Sequence, residues 1–182
     1  SPTSVQLEVM ISMDAMSADV LARGLTKIHS VLRAVEYRIV GAGALWAMGH
    51  TTRQTADFDV LLPGDAEQIS ARTYILSNAS FGQTAVGSLY VKVGGQARNI
   101  DLVTPDRIKL SGFPDNIYIQ HQTLARIAPL ECLLEAKISA VRDPARKPRK
   151  RESDTDDIVF VLRLAASKDA ALGLETVPGL DK

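Results

Sequence analysis

Cysteine is almost absent: the 182-residue chain contains one, Cys132. An intrachain disulfide is therefore excluded, and so is a cysteine zinc site. Histidine is scarce as well, and His29, His50 and His121 are scattered without ligand spacing. No apolar run approaches the roughly 18 residues of a membrane helix, and no signal-peptide pattern is visible. These absences give the expectation of a cytoplasmic protein without a membrane partner. An excess of one charge is also missing, because 21 basic residues face 21 acidic ones. A dedicated nucleic-acid binder is usually clearly basic, so the overall charge speaks against that class.

The rest of the composition is that of an ordinary globular chain, 46% apolar and 23% charged. Its length suits one domain, expected over 1–170 with a core at 14–122, a helical cover at 123–168 and a flexible tail at 171–182. Residues 14–35 have helical spacing in Leu21, Leu25, Ile28, Leu32 and Val35. Tyr37–Val40 reads as a strand, Gly41–Gly43 as a turn, and Ala44–Met48 as a short helix. Asp57–Leu62 is a second strand, closed by Pro63-Gly64. Residues 66–76 suit a helix with Ile69, Thr73 and Leu76 on one side. Strands at 88–93 and 98–103 flank Gly94-Gly95, a hairpin signal, and 116–119 is a further edge strand. Helices are expected at 124–142, with a stripe of Leu130, Leu133, Leu134, Lys137, Ile138 and Val141, and at 154–166, with Ile158, Val161, Leu162 and Ala165 inward. A basic, proline-containing linker at 143–152 separates them. The order of elements describes a mixed α/β (α+β) fold, a mixed sheet covered by helices with a C-terminal helix pair.

Carboxylates inside apolar strands are the informative feature. Alternate residues of a strand share a face, so Asp57 and Asp59 point one way while Phe58 and Val60 enter a core. The hairpin can bring Asp101, in Asn99-Ile100-Asp101-Leu102-Val103, beside that pair. Either the acidic residues mark a solvated strand end, or they share divalent metal, which offsets the cost of placing them there. Gly41-Ala42-Gly43 lies between a strand and a helix, where backbone N–H groups can approach a phosphate. It is neither a P-loop nor a dinucleotide fingerprint, since Gly-Lys-Ser/Thr is missing and Trp46 holds the third glycine position. Three carboxylates and such a turn are what metal-assisted phosphoryl or nucleotidyl transfer requires.

The residues Gly41-Ala42-Gly43-Ala44-Leu45, followed by Arg53-x-Thr55-x-Asp57-Phe58-Asp59-Val60, resemble the signature of the nucleotidyltransferase superfamily. The nearer likeness is to its small stand-alone members, the minimal nucleotidyltransferases and abortive-infection type toxins. Asp101 matches the family's third carboxylate. Lys137-Ile138-Ser139-Ala140-Val141-Arg142 resembles a later helix motif, and Lys150-Arg151 with Asp154-x-x-Asp157 a basic motif that opens the next helix. The likeness spans about 37–164. It implies a nucleotidyltransferase fold and Mg²⁺ or Mn²⁺ held by Asp57, Asp59 and Asp101, which are also its catalytic residues. It further implies an NTP, expected to be ATP, bound through Gly41, Ala42, Gly43, Arg53, Thr55, Lys137, Asp154 and Asp157. The family usually has Gly or Ser at the second turn position; Ala42 keeps the small volume and lacks the hydroxyl.

Several basic residues keep two readings open. Arg53 either reaches a triphosphate or neutralises a carboxylate, and Thr55 fixes the turn before Asp57. Lys137 either snorkels from its apolar stripe or aims at the cleft. Asp154 and Asp157 either favour the start of their helix or pair with Lys137 across the helix pair. The run 142–151 carries six positive residues and one negative. It is either a solvated connection or a hold on an RNA backbone or polyphosphate, without aromatic platforms nearby. The expected function is transfer of NMP from an NTP to a hydroxyl of RNA, protein or a small molecule. A non-catalytic, regulatory nucleotide-binding relative is the alternative, motivated by Ala42.

Overall fold

The computed structural model describes residues 8–167, so the expected tail at 171–182 lies outside the described residues. Helix α1 (Ala18–Leu32) starts where the Ser17 side chain accepts from the Val20 N–H, which shortens the expected 14–35 helix at both ends. Its buried face carries Leu21, Leu25, Ile28 and Leu32, as the spacing predicts. Strand β1 (Arg38–Val40) runs directly into α2 (Gly41–Ala47), so Gly41–Gly43 is the first turn of a helix and not a separate loop. Strand β2 (Asp57–Leu61) and helix α3 (Asp65–Leu76) follow.

Then come β3 (Phe81–Gln83), β4 (Leu89–Val93), β5 (Gln96–Val103), β6 (Tyr118–Ile119) and β7 (Arg126–Ile127), with β6 at the expected edge. Helix α4 (Leu130–Arg142) begins six residues later than expected, because 126–127 join the sheet and Pro129 is its N-cap. Helix α5 (Pro148–Ser167) begins earlier than expected and takes in half of the supposed linker. A proline is tolerated in a first helical turn, where its missing N–H would have no partner.

The described strands form one sheet in the order β3-β4-β5-β2-β1-β7-β6, with both parallel and antiparallel neighbours. The expected hairpin is formed by β4 and β5, and β5 lies parallel to β2. One sheet face is the apolar core, where Phe58 and Val60 are fully buried. A Cβ on Gly24 of α1 would collide with the Phe58 ring, so α1 lies close over β2. Helix α3 presents Ala71 and Ile75 to the core, not the expected Ile69, Thr73 and Leu76; Ile69 is 68% exposed. In α5, Val161 and Ala165 are buried and Ile158 is partly buried, as expected, whereas Leu162 is exposed. Cys132 is buried in α4 as a free thiol. No described helix is long and apolar enough to cross a membrane.

Candidate functional site

The opposite sheet face carries the acidic residues. Asp59 pairs in register with Val40 of β1 on one side and with Asp101 of β5 on the other. Asp57 pairs with Asn99 two residues along. Residues opposite in register share a face, so all three carboxylates belong to one surface. Thr55 sets the approach to it: its Oγ1 accepts from the Asp57 N–H at 3.3 Å and donates to the Asp57 carbonyl at 3.1 Å.

These carboxylates sense one another. Burial, then the charges of Asp101 and Asp57, push the Asp59 carboxyl up to about 6, against a pull from Lys137. Asp57 is also raised, by burial and by Asp101, and a hydrogen bond from Asn99 and the Lys150 charge partly offset this. The donor chemistry fits a hard divalent cation, because such ions favour carboxylate oxygens and would relieve this repulsion. Yet the three are not a ready-made cage. Among the described residues, no group of three or more His, Cys, Asp or Glu side chains is arranged to hold a metal ion.

Gly41 is indispensable to this face. Its φ is +69°, and a Cβ there would collide with Oδ2 of Asp59. The glycine thus lets the Asp59 carboxylate sit against the start of α2, where no side chain caps the helix and the first N–H groups have no intrahelical partner. Gly41→Ala should cost at least about 1–2 kcal/mol from the left-handed backbone alone, read as a lower urea midpoint. An unchanged midpoint would mean that the turn can relax away from Asp59.

Helix α4 closes over the acidic face. A cleft of about 300 Å³ is lined by Gly41 and Asp59 from below and by Lys137, Arg107, Lys109 and Arg146 around it. Lys137 points inward, with Nζ 3.1 Å from Asp154 Oδ1 and 2.8 Å from Asp157 Oδ2. Both aspartates are buried in the first half of α5. Arg53 takes the neutralising alternative: Nε and Nη2 donate to the two oxygens of Asp157 at 2.8 and 3.3 Å. Arg146 does the same for Asp154, at 2.8 and 3.1 Å. Two buried carboxylates therefore hold three cations, and Asp154 and Asp157 each have both oxygens engaged.

Arg107 and Lys109 lie outside every sequence motif named above, and Arg146 belongs to those motifs only as a member of the basic run 142–151. The 104–112 loop is anchored on α4: Ser111 donates to Glu135 through N–H (2.5 Å) and Oγ (3.2 Å), and Ser139 Oγ donates to the Lys109 carbonyl. Lys109 has φ +56°, uncommon for a non-glycine residue. The available signal was an Arg-Ile-Lys run a few residues after the strand of the third carboxylate. The basic run 142–151 is partly engaged internally: Arg146 is on Asp154 and Arg151 donates to the Asp143 carbonyl, whereas Lys147, Arg149 and Lys150 are exposed.

No protein-family model matches the sequence, and no curated protein matches it significantly. Solved structures do resemble it. An antigenic nucleotidyltransferase-like protein from Paracoccidioides brasiliensis aligns with a TM-score of 0.65 at 19% identity, over 83% of this chain and 79% of that one. Two structures of ANT(2'')-Ia align more loosely. One is the solution structure of this antibiotic-resistance factor (TM-score 0.42, 16% identity, 85% and 93% of the two chains). The other is its crystal structure in complex with adenylyl-2''-tobramycin (0.43, 12%, 81% and 97%). The mixed sheet, its flanking helices and the C-terminal helix pair are those of a nucleotidyltransferase-like fold.

Proposed function

We propose that this chain is a metal-dependent nucleotidyltransferase that moves an NMP group from an NTP, ATP being the expected donor, to an acceptor hydroxyl. The observation that carries this reading is the register of Asp59 with Asp101, beside Asp57, on a face that opens at Gly41 into a cleft rimmed by cations. Asp57, Asp59 and Asp101 would hold Mg²⁺ or Mn²⁺, which when bound supplies Lewis-acid neutralisation of phosphate charge.

The remaining work belongs to the chain. Gly41, at the cleft wall, opens the first turn of α2, and the backbone N–H groups of Gly41, Ala42 and Gly43 would receive the outer phosphates in place of the hydroxyl that Ala42 lacks. Lys137 and Arg146 line the cleft and supply positive charge where negative charge develops on the phosphate oxygens during transfer. Asp154 and Asp157 act as positioning residues that hold those cations, and Arg53 ties Asp157 to the loop before β2. In the transfer, the acceptor oxygen bonds to the α-phosphorus as the bond to the bridging oxygen breaks. Pyrophosphate departs with the electron pair, and the acceptor proton passes to Asp101.

The test uses ATP labelled at the α- or at the γ-phosphate, with Mg²⁺ or Mn²⁺ and candidate acceptors. The expected result is α-label on the acceptor and γ-label in pyrophosphate. Transfer of the γ-label would make the protein a kinase. Binding of ATP without turnover would establish the regulatory relative that Ala42 suggests.

A further inference from the structure

The edge of β5 changes character after Ile100. Up to that residue β4 covers it, with Leu89 paired to Ile100. Beyond it, among the described residues, Asp101–Val103 pair with β2 alone. A groove of about 410 Å³ runs along this open edge, with Asp101, Arg72, Arg107, Ser88 and Ile69 in its wall. This volume is that of a small-molecule pocket. Arg72 is held in place, since Nη2 donates to Gln83 Oε1 at 2.6 Å and to the Gly87 carbonyl at 3.2 Å. The Arg107 guanidinium makes no hydrogen bond or ion pair among the described residues; only its backbone N–H is bonded, to Thr104. Arg107 also lines the cleft that holds Asp59, so groove and cleft meet at this residue, while Asp101, in the groove wall, is the in-register neighbour of Asp59. Ile69 adds an apolar surface, being 68% exposed.

We propose that this groove is the acceptor site, and that the acceptor is a small hydroxyl compound bearing an anionic group. The inference rests on the nucleotidyltransferase reading. Two guanidinium groups against one carboxylate give the groove a net positive wall, and guanidinium groups suit carboxylates and phosphates bidentately. An acceptor whose anion meets Arg107 brings its hydroxyl to the Asp101 side of the sheet, opposite the Gly41 turn. There the hydroxyl oxygen bonds to the α-phosphorus, pyrophosphate leaves with the electrons of the broken P–O bond, and the proton goes to Asp101. Within the basic run, Arg146 and Arg151 are engaged by Asp154 and the Asp143 carbonyl, and RNA as the acceptor is one of the outcomes the test decides.

The experiment has two arms. Calorimetry with ATP and Mg²⁺ first tests the underlying reading on the full chain. Transfer from α-labelled ATP is then compared for glycerate and glucose 6-phosphate against glycerol, glucose, bulk RNA and the protein itself. The anionic compounds should be labelled with at least about tenfold higher kcat/KM than their neutral parents, the scale of one hydrogen bond to a charged group. Arg107→Gln should collapse that preference. Ile69→Trp, at an exposed position, should fill the groove and raise acceptor KM about tenfold while the ATP Kd stays unchanged. If ATP fails to bind, the nucleotidyltransferase reading falls and the acceptor inference falls with it. If ATP binds but RNA, protein or neutral compounds are labelled as well as the anionic ones, or Ile69→Trp transfers like the parent, the acceptor inference alone is overturned.

Discussion

Asp59→Asn is expected to abolish nucleotidyl transfer while leaving the metal-free protein at least as stable as the parent. The carboxylate is the middle member of the row, in register with Asp101 and on the same face as Asp57. Removing its charge therefore removes a metal ligand and also a source of repulsion. The pH dependence gives an independent check. Burial and like charges raise the folded carboxyl to about 6, above its ordinary value of 3.8. Between those values the folded state binds more protons than the unfolded one, so stability falls as pH rises through the window. Above about 6 the penalty is complete, and near 3.8 it has vanished. Melting temperatures of the metal-free protein should decline from pH 4 to pH 6 by this mechanism. The decline should become shallower in Asp59→Asn, with Asp57, raised in the same direction, accounting for what remains. Mg²⁺ should raise the parent Tm and have little effect on the variant. A marked loss of metal-free stability in Asp59→Asn would instead give this residue a structural pairing role.

Asp157→Ala should be the most destabilising single change in the site, on the order of 3–5 kcal/mol. Asp157 is fully buried and neutralises both Arg53 and Lys137. Without it, Arg53 loses its carboxylate partner and Lys137 must share Asp154 with Arg146. Three cations would then face one carboxylate. Lys137→Met should be much milder, because Asp154 keeps Arg146 and Asp157 keeps Arg53, leaving two matched pairs. The asymmetry is the test: chemical denaturation of both variants should show the aspartate loss to be several-fold the larger. Equal losses would mean that Lys137 is the keystone of the network. Lys137→Met should still lower transfer from ATP more than it lowers Tm, since its ammonium lines the cleft.

Local pattern alone determined much of this protein. Period-two spacing put Asp57 and Asp59 on one face and Phe58 and Val60 in the core. Gly94-Gly95 marked the hairpin that returns Asp101 beside β2. The glycine signature marked the one position where backbone conformation and the Asp59 carboxylate both exclude a side chain. These features are legible because period, turn chemistry and glycine tolerance act between near neighbours in the chain. Strand β7 lies inside the run that reads as the start of the 124–142 helix, and β3 is three residues around Gly82; each is a strand only through its partner, β1 or β4. The start of α5 was hidden because a proline-containing basic run reads as a connection until Asp154 and Asp157 find cations to bury against. Tertiary structure alone decided which alternative Arg53 takes, since its partner lies 104 residues away. It also brought Arg107 to the junction of cleft and groove, through a loop held on α4 by Glu135. Charge pairing at such separations depends on which elements pack together, and sequence spacing carries no record of that.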